Sequence, residues 1–201
     1  MNHTIPTDEY SAIEKSWIEE GLINLSVLDV KVDLKYSHND NIFQSKLYTE
    51  FSRPFGHKIL YEALKNALNE LKSHSSHLTF LLWDTLRPHA IQELMWERFE
   101  HEEKAKYIAH PSKSSIHNYG MAVDLTLYDS NLHKDLPMGS DFDDFSDASH
   151  VHYPHLTSEE KENRALLRMV MVQSGFIPYE NEWWHYEAMD KKIIKSDYKR
   201  Y

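Results

Sequence analysis

This chain of 201 residues contains no cysteine, which excludes disulfide bonds and any closed metal site built on thiolates. Its five glycines and seven prolines are too few for a fibrous or low-complexity protein. No apolar run approaches the roughly 18 residues that a membrane span needs. The start, Met1 to Glu9, has neither the basic nor the apolar region of a secretory signal. We therefore expect a cytoplasmic protein.

Positive charge is also scarce, since 22 lysines and arginines face 32 aspartates and glutamates, for a net charge of -10. This balance argues against nucleic acid, anionic membranes and anionic wall polymers as partners, because each of them needs a basic surface. The hydrophobic content of 41% is that of a soluble globular protein. We expect residues 1–201 to form a single domain, with 1–25 as an N-terminal arm. The oligomeric state is not indicated.

The hydrophobic pattern alternates between helical and strand periodicity without a repeating βαβ order. Apolar residues at alternating or consecutive positions predict strands at 26–34, 78–83, 121–127 and 182–186. Helical spacing, Arg87-Pro88 and a Thr157–Glu160 capping box predict helices at 58–71, from 88 to 99 and from 158 to 172. The stretch 129–155 has no periodicity and is expected to be a long loop that is either functional or mobile. The predicted fold class is α+β, with a central antiparallel sheet flanked by helices.

Two short motifs carry the chemistry: Ser115-Ile-His-Asn-Tyr-Gly-Met-Ala-Val-Asp124 and Glu182-Trp-Trp-His185. They supply two imidazoles and a carboxylate, with a second carboxylate nearby, which is the residue set of a catalytic zinc site with an open coordination position. Gly120 permits a sharp bend that would bring His117 beside Asp124. Read singly, each of these residues also fits a solvated surface position. The spacing of Glu182 and His185 requires either one helical turn or a bulged strand to bring both to one face.

Taken together, the two motifs resemble the zinc signature of the VanX-type D-alanyl-D-alanine dipeptidases, a group related to D-Ala-D-Ala carboxypeptidases and hedgehog-like domains. Three further segments resemble that family in the same order: 32–43, the Trp83-Asp-Thr-Leu-Arg-Pro88 element, and the loop 138–145. The resemblance covers the chain from about residue 30 to its end. It implies hydrolysis of D-Ala-D-Ala to two D-alanines.

The resemblance also implies a role for each matching residue. His117, Asp124 and His185 would be the ligands of one Zn²⁺ per chain, and Glu182 the general base. Arg87 would stabilise the oxyanion, Asp143 would hold the substrate ammonium, and Ser115 would contact the substrate carboxylate. Tyr36 is a further candidate for substrate contact, although its position is equally consistent with a tyrosine buried in the core. Arg87 alone would fit an ordinary ion pair, and Asp143 an acidic surface loop.

Two departures from the family pattern leave the substrate less firmly indicated than the metal chemistry. Leu86 stands where the family often has tyrosine, and Asn118-Tyr119 replace a common Ser-Arg pair. The rival functions are a D,D-carboxypeptidase or endopeptidase acting on peptidoglycan stem peptides, and a non-catalytic zinc-containing binding module. The sequence does not separate a role in vancomycin resistance from recycling of D-alanine.

A third histidine-rich segment contains His150, His152 and His155, which have the spacing of a possible second metal site. We favour the alternative that they are loop or helix-entry residues.

Overall fold

The computed structural model describes residues 9–201, so the first eight residues of the predicted N-terminal arm lie outside the described part of the chain. The described residues form an α+β fold. Its α-helices are α1 (Ala12–Glu19), α2 (Lys58–His74), α3 (His89–Phe99), α4 (Ser158–Gln173) and α5 (Lys191–Asp197). Its strands are β1 (Ile23–Asn24), β2 (Lys31–Val32), β3 (Phe55–Gly56), β4 (Leu78–Asp84), β5 (Ala122–Asp129), β6 (Lys134–Asp135), β7 (Ile177–Tyr179) and β8 (Glu182–Glu187).

The main sheet has the order β2-β4-β5-β8-β7, and β6 pairs with β5. The central pairs β4–β5, β5–β8 and β7–β8 are antiparallel, as expected, but β2 runs parallel to β4. The sheet is therefore mixed rather than wholly antiparallel. Strands β1 and β3 form a separate antiparallel pair.

Alternation along β5 gives the sheet two different faces. Val123, Leu125 and Leu127 are fully buried in the main hydrophobic core, which also contains apolar residues of α2 and α4. Asp124 and Thr126 lie on the opposite face and are equally inaccessible. That second face is covered by an aromatic cluster that includes Tyr36, Phe43, Tyr48, Phe51, Leu86 and Met95. Asp124 therefore lies on the face of the sheet that is turned away from the main hydrophobic core.

Most of the predicted elements are confirmed. The helix expected at 58–71 is α2, and the Thr157–Glu160 capping box opens α4, with both of its hydrogen bonds present. The helix after Arg87 begins one residue later than expected, at His89, with Pro88 in the N-cap position. The helical spacing of Ile91, Leu94, Met95 and Phe99 predicts one apolar face for this helix, but Leu94 is 52% exposed, so the buried face is narrower than predicted.

The strand predicted at 26–34 is largely wrong. The Asn24 side chain accepts a hydrogen bond from Ser26 N (3.0 Å) and caps a 3₁₀ turn at Leu25–Val27. Val27 is 55% exposed, whereas Leu28 and Val30 pack against the main core without belonging to a strand. Only Lys31 and Val32 pair with the sheet, against Leu81 and Leu82 of β4. Local side-chain capping outweighed the strand pattern in this segment.

The stretch 129–155 contains only β6 and a short 3₁₀ turn at Asp147–Ser149, in line with its lack of periodicity. Within residues 9–201, no helix combines the length and the apolar character needed to cross a bilayer.

Candidate active site and metal centre

The three predicted ligand residues meet at the middle of the sheet. Asp124 on β5 pairs directly with His185 on β8. His117 reaches them from the 3₁₀ turn Ile116–Tyr119, which immediately precedes β5. All three residues are buried. A buried carboxylate beside two buried imidazoles requires mutual pairing or a bound cation.

The distances between the three ligand atoms suit a small metal ion. His117 Nε2 lies 3.2 Å from His185 Nδ1 and 3.2 Å from Asp124 Oδ2, and His185 Nδ1 lies 2.9 Å from Asp124 Oδ1. Ligands about 2.0 Å from a tetrahedral zinc ion stand roughly 3.3 Å apart, so little movement is needed to enclose one. Among the described residues, this is the group whose ligand atoms converge in this way.

Hydrogen bonding fixes which nitrogen of His117 faces the other ligands. His117 Nδ1 lies 2.7 Å from the carbonyl oxygen of Thr85, so Nδ1 carries the proton and donates it. Nε2 is then the unprotonated nitrogen that can bind a metal. His185 presents Nδ1 instead, while its Nε2 lies 3.8 Å from Glu187 Oε1. Such outer partners orient metal-binding imidazoles and raise their basicity.

The electrostatics of the cluster favour positive charge between the ligand atoms. Burial opposes the charged form of His185, but the hydrogen bond to Asp124 and the nearby carboxylate of Glu187 outweigh burial and raise its pKa to about 10. Burial also opposes ionisation of Asp124, yet the neighbouring His117 and His185 hold the pKa of that carboxyl well below its usual range. A divalent cation supplies the positive charge that this arrangement attracts.

Gly120 produces the bend predicted from the sequence. Its φ of +64° lies in the left-handed region, and a Cβ at this position would lie 3.1 Å from the backbone nitrogen of His57. Ser115 caps the preceding turn, because its hydroxyl accepts a hydrogen bond from His117 N (3.3 Å). The short turn therefore ends abruptly, and His117 folds back onto β5.

The alternative left open for Glu182 and His185 is resolved in favour of a bulged strand. Tyr179 pairs with Glu182, but the next residue back, Pro178, pairs with Tyr186. The register therefore shifts within β8, and Glu182 and His185 both reach the same cavity. Glu182 Oε2 lies 4.0 Å from His185 Nδ1, and the Glu182 side chain is 25% exposed. Burial raises the pKa of this carboxyl above its usual range.

Arg87 is held in place by a residue to which the sequence assigned no role, Asp84. Arg87 Nε and Nη2 donate to Asp84 Oδ2 at 2.9 and 2.6 Å, and Nη1 donates to Gln92 Oε1 at 3.0 Å. The other oxygen of Asp84 accepts from the Tyr48 hydroxyl at 2.6 Å. The guanidinium lies 5.1 Å from the centre of the Tyr36 ring and 4.0 Å from Asp124 Oδ2. It is therefore fixed beside the ligand cluster.

Asp143 has a neutral hydrogen-bond donor but no cationic partner within ion-pair distance among the described residues. The Tyr36 hydroxyl donates to its Oδ2 at 2.9 Å. Burial raises the pKa of this carboxyl to about 8, although the bond from Tyr36 and the charge of Arg87 oppose the shift. Asp143 also adopts a left-handed backbone with φ of +57°. A carboxyl held this way gains much from a ligand that brings positive charge.

One cavity of about 270 Å³ unites the predicted site. All eight residues singled out from the sequence line it: Tyr36, Arg87, Ser115, His117, Asp124, Asp143, Glu182 and His185. The volume lies at the low end for small-molecule sites, so it suits a ligand smaller than a typical drug. Leu86 and Asn118 do not line it. Leu86 packs in the aromatic cluster, and Asn118 donates to the carbonyl of Arg87 at 2.8 Å.

Asp84, Tyr48 and Gln92 are the supporting residues that sequence reasoning missed. Asp84 had a usable signal, since it ends a buried strand three residues before Arg87, and a charge there needs a partner. Tyr48 and Gln92 had none, because their contacts depend on how distant segments pack.

The histidine-rich segment forms no metal cluster in the described chain. His152 Nε2 lies 3.1 Å from Glu180 Oε2, and the His155 ring packs against Tyr153. His150 accepts a hydrogen bond through its carbonyl oxygen from Arg164. These contacts fit loop residues, the alternative favoured from the sequence.

Comparison with known proteins shows the family to which the chain belongs. The family model described as D-Ala-D-Ala dipeptidase, in peptidase family M15, matches residues 20–201. This chain belongs to that family. It is 36% identical over 185 residues to the D-alanyl-D-alanine dipeptidase of Enterococcus faecium, covering 83% of this chain and 90% of that protein. It is 32% identical over 168 residues to the dipeptidase of Escherichia coli K12, covering 83% of each.

A solved structure of the LdcB LD-carboxypeptidase also aligns with this chain, at a TM-score of 0.48 and 20% identity, covering 87% of this chain and 70% of that one. Family membership makes the chain a hydrolase of a metallopeptidase family, as the two motifs predicted.

Proposed function

We propose that this protein hydrolyses the dipeptide D-Ala-D-Ala to two D-alanines with one bound Zn²⁺ ion. The observation that carries the proposal is the shared cavity. It brings a two-imidazole, one-carboxylate cluster together with Glu182, Arg87 and the carboxyl of Asp143, which lacks a cationic partner among the described residues. The dipeptidase names of the relatives point to the same substrate.

Zinc is the metal that the donor set favours, although cobalt or iron would also fit two nitrogens and an oxygen. His117 Nε2, His185 Nδ1 and a carboxylate oxygen of Asp124 would hold it. When bound, zinc lowers the pKa of a coordinated water and polarises a carbonyl group.

In this proposal Glu182 acts as general base. Its carboxylate lies beside His185 and is partly open to the cavity, so it can accept a proton from the attacking water. Burial raises the pKa of the Glu182 carboxyl toward the neutral pH range. A pKa near the working pH suits a group that takes up a proton and then returns it to the leaving amine.

Arg87 would stabilise the negative charge that develops on the carbonyl oxygen. Its position is fixed by Asp84 and Gln92 before substrate arrives, so no reorganisation is needed during the reaction. Loss of one such donor typically lowers the rate by about 100- to 1000-fold.

Asp143 and Tyr36 would bind the free ammonium of the dipeptide, and Ser115 its carboxylate. An acylated amine would leave the Asp143 carboxyl without a positive partner, and sites of this kind discriminate strongly against such analogues. This selectivity favours a dipeptidase over a carboxypeptidase that acts on longer stem peptides. A non-catalytic binding module would need neither Glu182 nor Arg87.

The proposal extends to the whole chain as one zinc dipeptidase domain, with a small dipeptide as its partner. A cytoplasmic location and a role in vancomycin resistance or D-alanine recycling stay predictions.

The deciding experiment measures free D-alanine released from D-Ala-D-Ala, N-acetyl-D-Ala-D-Ala and L-Ala-L-Ala, before and after chelation. We expect cleavage of the unmodified D,D-dipeptide alone, lost on chelation and restored by zinc. Preferred cleavage of the acetylated compound would assign the protein as a carboxypeptidase. A protein that binds zinc but cleaves none of the three would be a binding module.

Glu182→Gln separates catalysis from metal binding in the same assay. We expect turnover to fall by about 100- to 10,000-fold, because the general base is lost. The zinc content should stay at one ion per chain. Unchanged turnover would exclude Glu182 as the base.

A further inference from the structure

We propose that Lys195 binds the carboxylate of the substrate and makes the enzyme selective for peptides with a free C-terminus. The inference rests on the proposed dipeptidase function and names a residue of that same cavity. Lys195 lies on α5, outside every motif singled out in the sequence, and its side chain lines the cavity together with Ser115.

The ammonium group of Lys195 is held at a defined place on the cavity wall. Its Nζ donates to the carbonyl oxygens of Lys113 at 2.5 Å and Ser114 at 2.9 Å. An ammonium has three N–H donors, so one remains for a ligand. The peptide carbonyl of Ser114 directly precedes Ser115, and the lysine therefore lies beside the serine expected to contact the substrate carboxylate.

The acceptor segment is itself ordered by further contacts. Ser114 is buried, has φ of +54°, and its hydroxyl accepts a hydrogen bond from Arg200 Nη1 at 3.0 Å. The Ser115 hydroxyl accepts from His117 N, which leaves its own proton free to be donated. Lys195 and Ser115 thus offer one charged and one neutral donor next to each other, a pair suited to a carboxylate.

The other cationic side chains of the cavity are less suited to this task. Arg87 directs its Nε, Nη1 and Nη2 groups to Asp84 and Gln92. Lys191 lines the cavity one helical turn before Lys195, and both side chains are exposed. Of the two, Lys195 is the lysine whose ammonium is held against the cavity wall, by its hydrogen bonds to the carbonyls of Lys113 and Ser114. Partial burial lowers the pKa of Lys195, as expected for an ammonium drawn away from water, while the nearby Glu187 carboxylate opposes that shift.

A free dipeptide carries one charge at each end, and the cavity supplies a partner for each of them. Asp143 offers negative charge from the loop 138–145, and Lys195 offers positive charge from α5. A neutral C-terminal amide can accept a hydrogen bond from the ammonium but brings no negative charge to it, so Lys195 should favour acids over amides.

The test compares D-Ala-D-Ala with D-Ala-D-alaninamide in the zinc-loaded wild type and in Lys195→Met, Lys195→Arg and Lys192→Met. Methionine keeps the apolar stem and removes the charge. Lys192 is an exposed lysine on the same helix that does not line the cavity, and its variant is the matched control. We expect Lys195→Met to raise KM for the acid by about 10- to 100-fold, the usual loss for a hydrogen bond to a charged group.

In Lys195→Met, kcat for the acid and both constants for the amide should stay near those of the wild type. Lys195→Arg should restore most of the preference for the acid, and Lys192→Met should match the wild type. An unchanged acid-to-amide ratio in Lys195→Met would overturn the proposal. An equal loss for both compounds would also overturn it, since it would assign Lys195 to holding the 113–114 carbonyls alone.

Equilibrium binding of the same two compounds in the Glu182→Gln background separates this inference from the proposed function. Weaker binding of the acid alone after Lys195→Met would support the carboxylate role even if the wild type showed no turnover. If the wild type cleaves the dipeptide but Lys195→Met does not change binding of the acid, the role of Lys195 is excluded. The proposed dipeptidase function would still hold.

Discussion

Asp84 and Arg87, three residues apart, form a buried ion pair in which two guanidinium nitrogens share one carboxylate oxygen at 2.6 and 2.9 Å. The pair lies at the end of β4, where the chain turns toward α3. Asp84 anchors the arginine, and the arginine faces the ligand cluster. The position of Arg87 at the cavity therefore depends on a residue that does not itself line the cavity.

We predict that Asp84→Ala lowers the free energy of unfolding by about 3 to 5 kcal/mol, because it leaves the buried guanidinium of Arg87 without its partner. Urea denaturation measures the change. Asp33→Ala is the control, because Asp33 pairs with Lys35 at a partly exposed position and should cost less than about 1 kcal/mol. Equal losses in the free energy of unfolding for the two variants would show that the buried Asp84–Arg87 pair stabilises the fold no more than an exposed pair.

Gly120→Ala tests whether the bend before β5 positions His117. A methyl group at φ of +64°, 3.1 Å from His57 N, should cost about 1 to 3 kcal/mol and displace the turn. We expect weaker zinc binding, measured by competition with a chromogenic chelator. Gly175→Ala is the matched control, because Gly175 has φ of +91° and an added Cβ there meets no atom within 4 Å. That variant should lose stability through strain but keep the zinc affinity.

The residues that the structure brings together around the cavity could be picked from the sequence because each lies in a short segment of chemically distinctive residues. Their orientation could not. Glu182 and His185 share a cavity only because the register of β8 shifts against β7, and a three-residue spacing by itself is compatible with a helix. The protonated nitrogen of His117 is set by the carbonyl of Thr85, a backbone group that carries no sequence signal.

Long-range packing explains what the sequence could not supply. Tyr48 bonds to Asp84 across 36 residues, and Lys195 bonds to the carbonyl of Ser114 across 81 residues. Neither contact follows from a local pattern. The strand predicted at 26–34 is wrong for a different reason, because there a local pattern was present but misleading. Its apolar residues alternate as in a strand, yet the capping side chain of Asn24 turns the backbone into a 3₁₀ turn.

Bound zinc should stabilise the folded protein, by an amount that depends on the ratio of the zinc concentration to the dissociation constant. We predict that zinc added to the chelated protein at 100 times the dissociation constant raises the free energy of unfolding by about 2.7 kcal/mol, because the ligand cluster forms only in the folded state. Differential scanning fluorimetry detects the shift. Asp124→Ala should abolish the response, while His152→Ala, at an exposed histidine outside the cluster, should keep it. A full response in Asp124→Ala would exclude Asp124 as a ligand.

We predict that the buried carboxyl of Asp143 lowers the free energy of unfolding as the pH rises, although the same group strengthens substrate binding. Burial raises the pKa of its carboxyl from an ordinary value near 4 to about 8. A carboxyl whose pKa is raised by folding favours the folded state at low pH, and that contribution is lost as the pH rises through the folded pKa. Asp143→Asn removes the titrating group. The variant should therefore match the wild type near pH 4 and become more stable than it between pH 4 and 8.

We expect this gain to reach at least about 1 kcal/mol at pH 8, which corresponds to about 2 to 4 °C in Tm for a chain of this size. Asp141→Asn, at an exposed aspartate of the same loop, should show no such pH-dependent gain. The stabilised Asp143→Asn variant should bind D-Ala-D-Ala more weakly and lose most of its preference for this dipeptide over the N-acetylated one. The amide oxygen of asparagine can accept a hydrogen bond from the ammonium, but it carries no negative charge to pair with it. A variant that kept the full preference would exclude Asp143 as the partner of the ammonium. Discrimination would then rest on the size of the acetyl group in this small cavity.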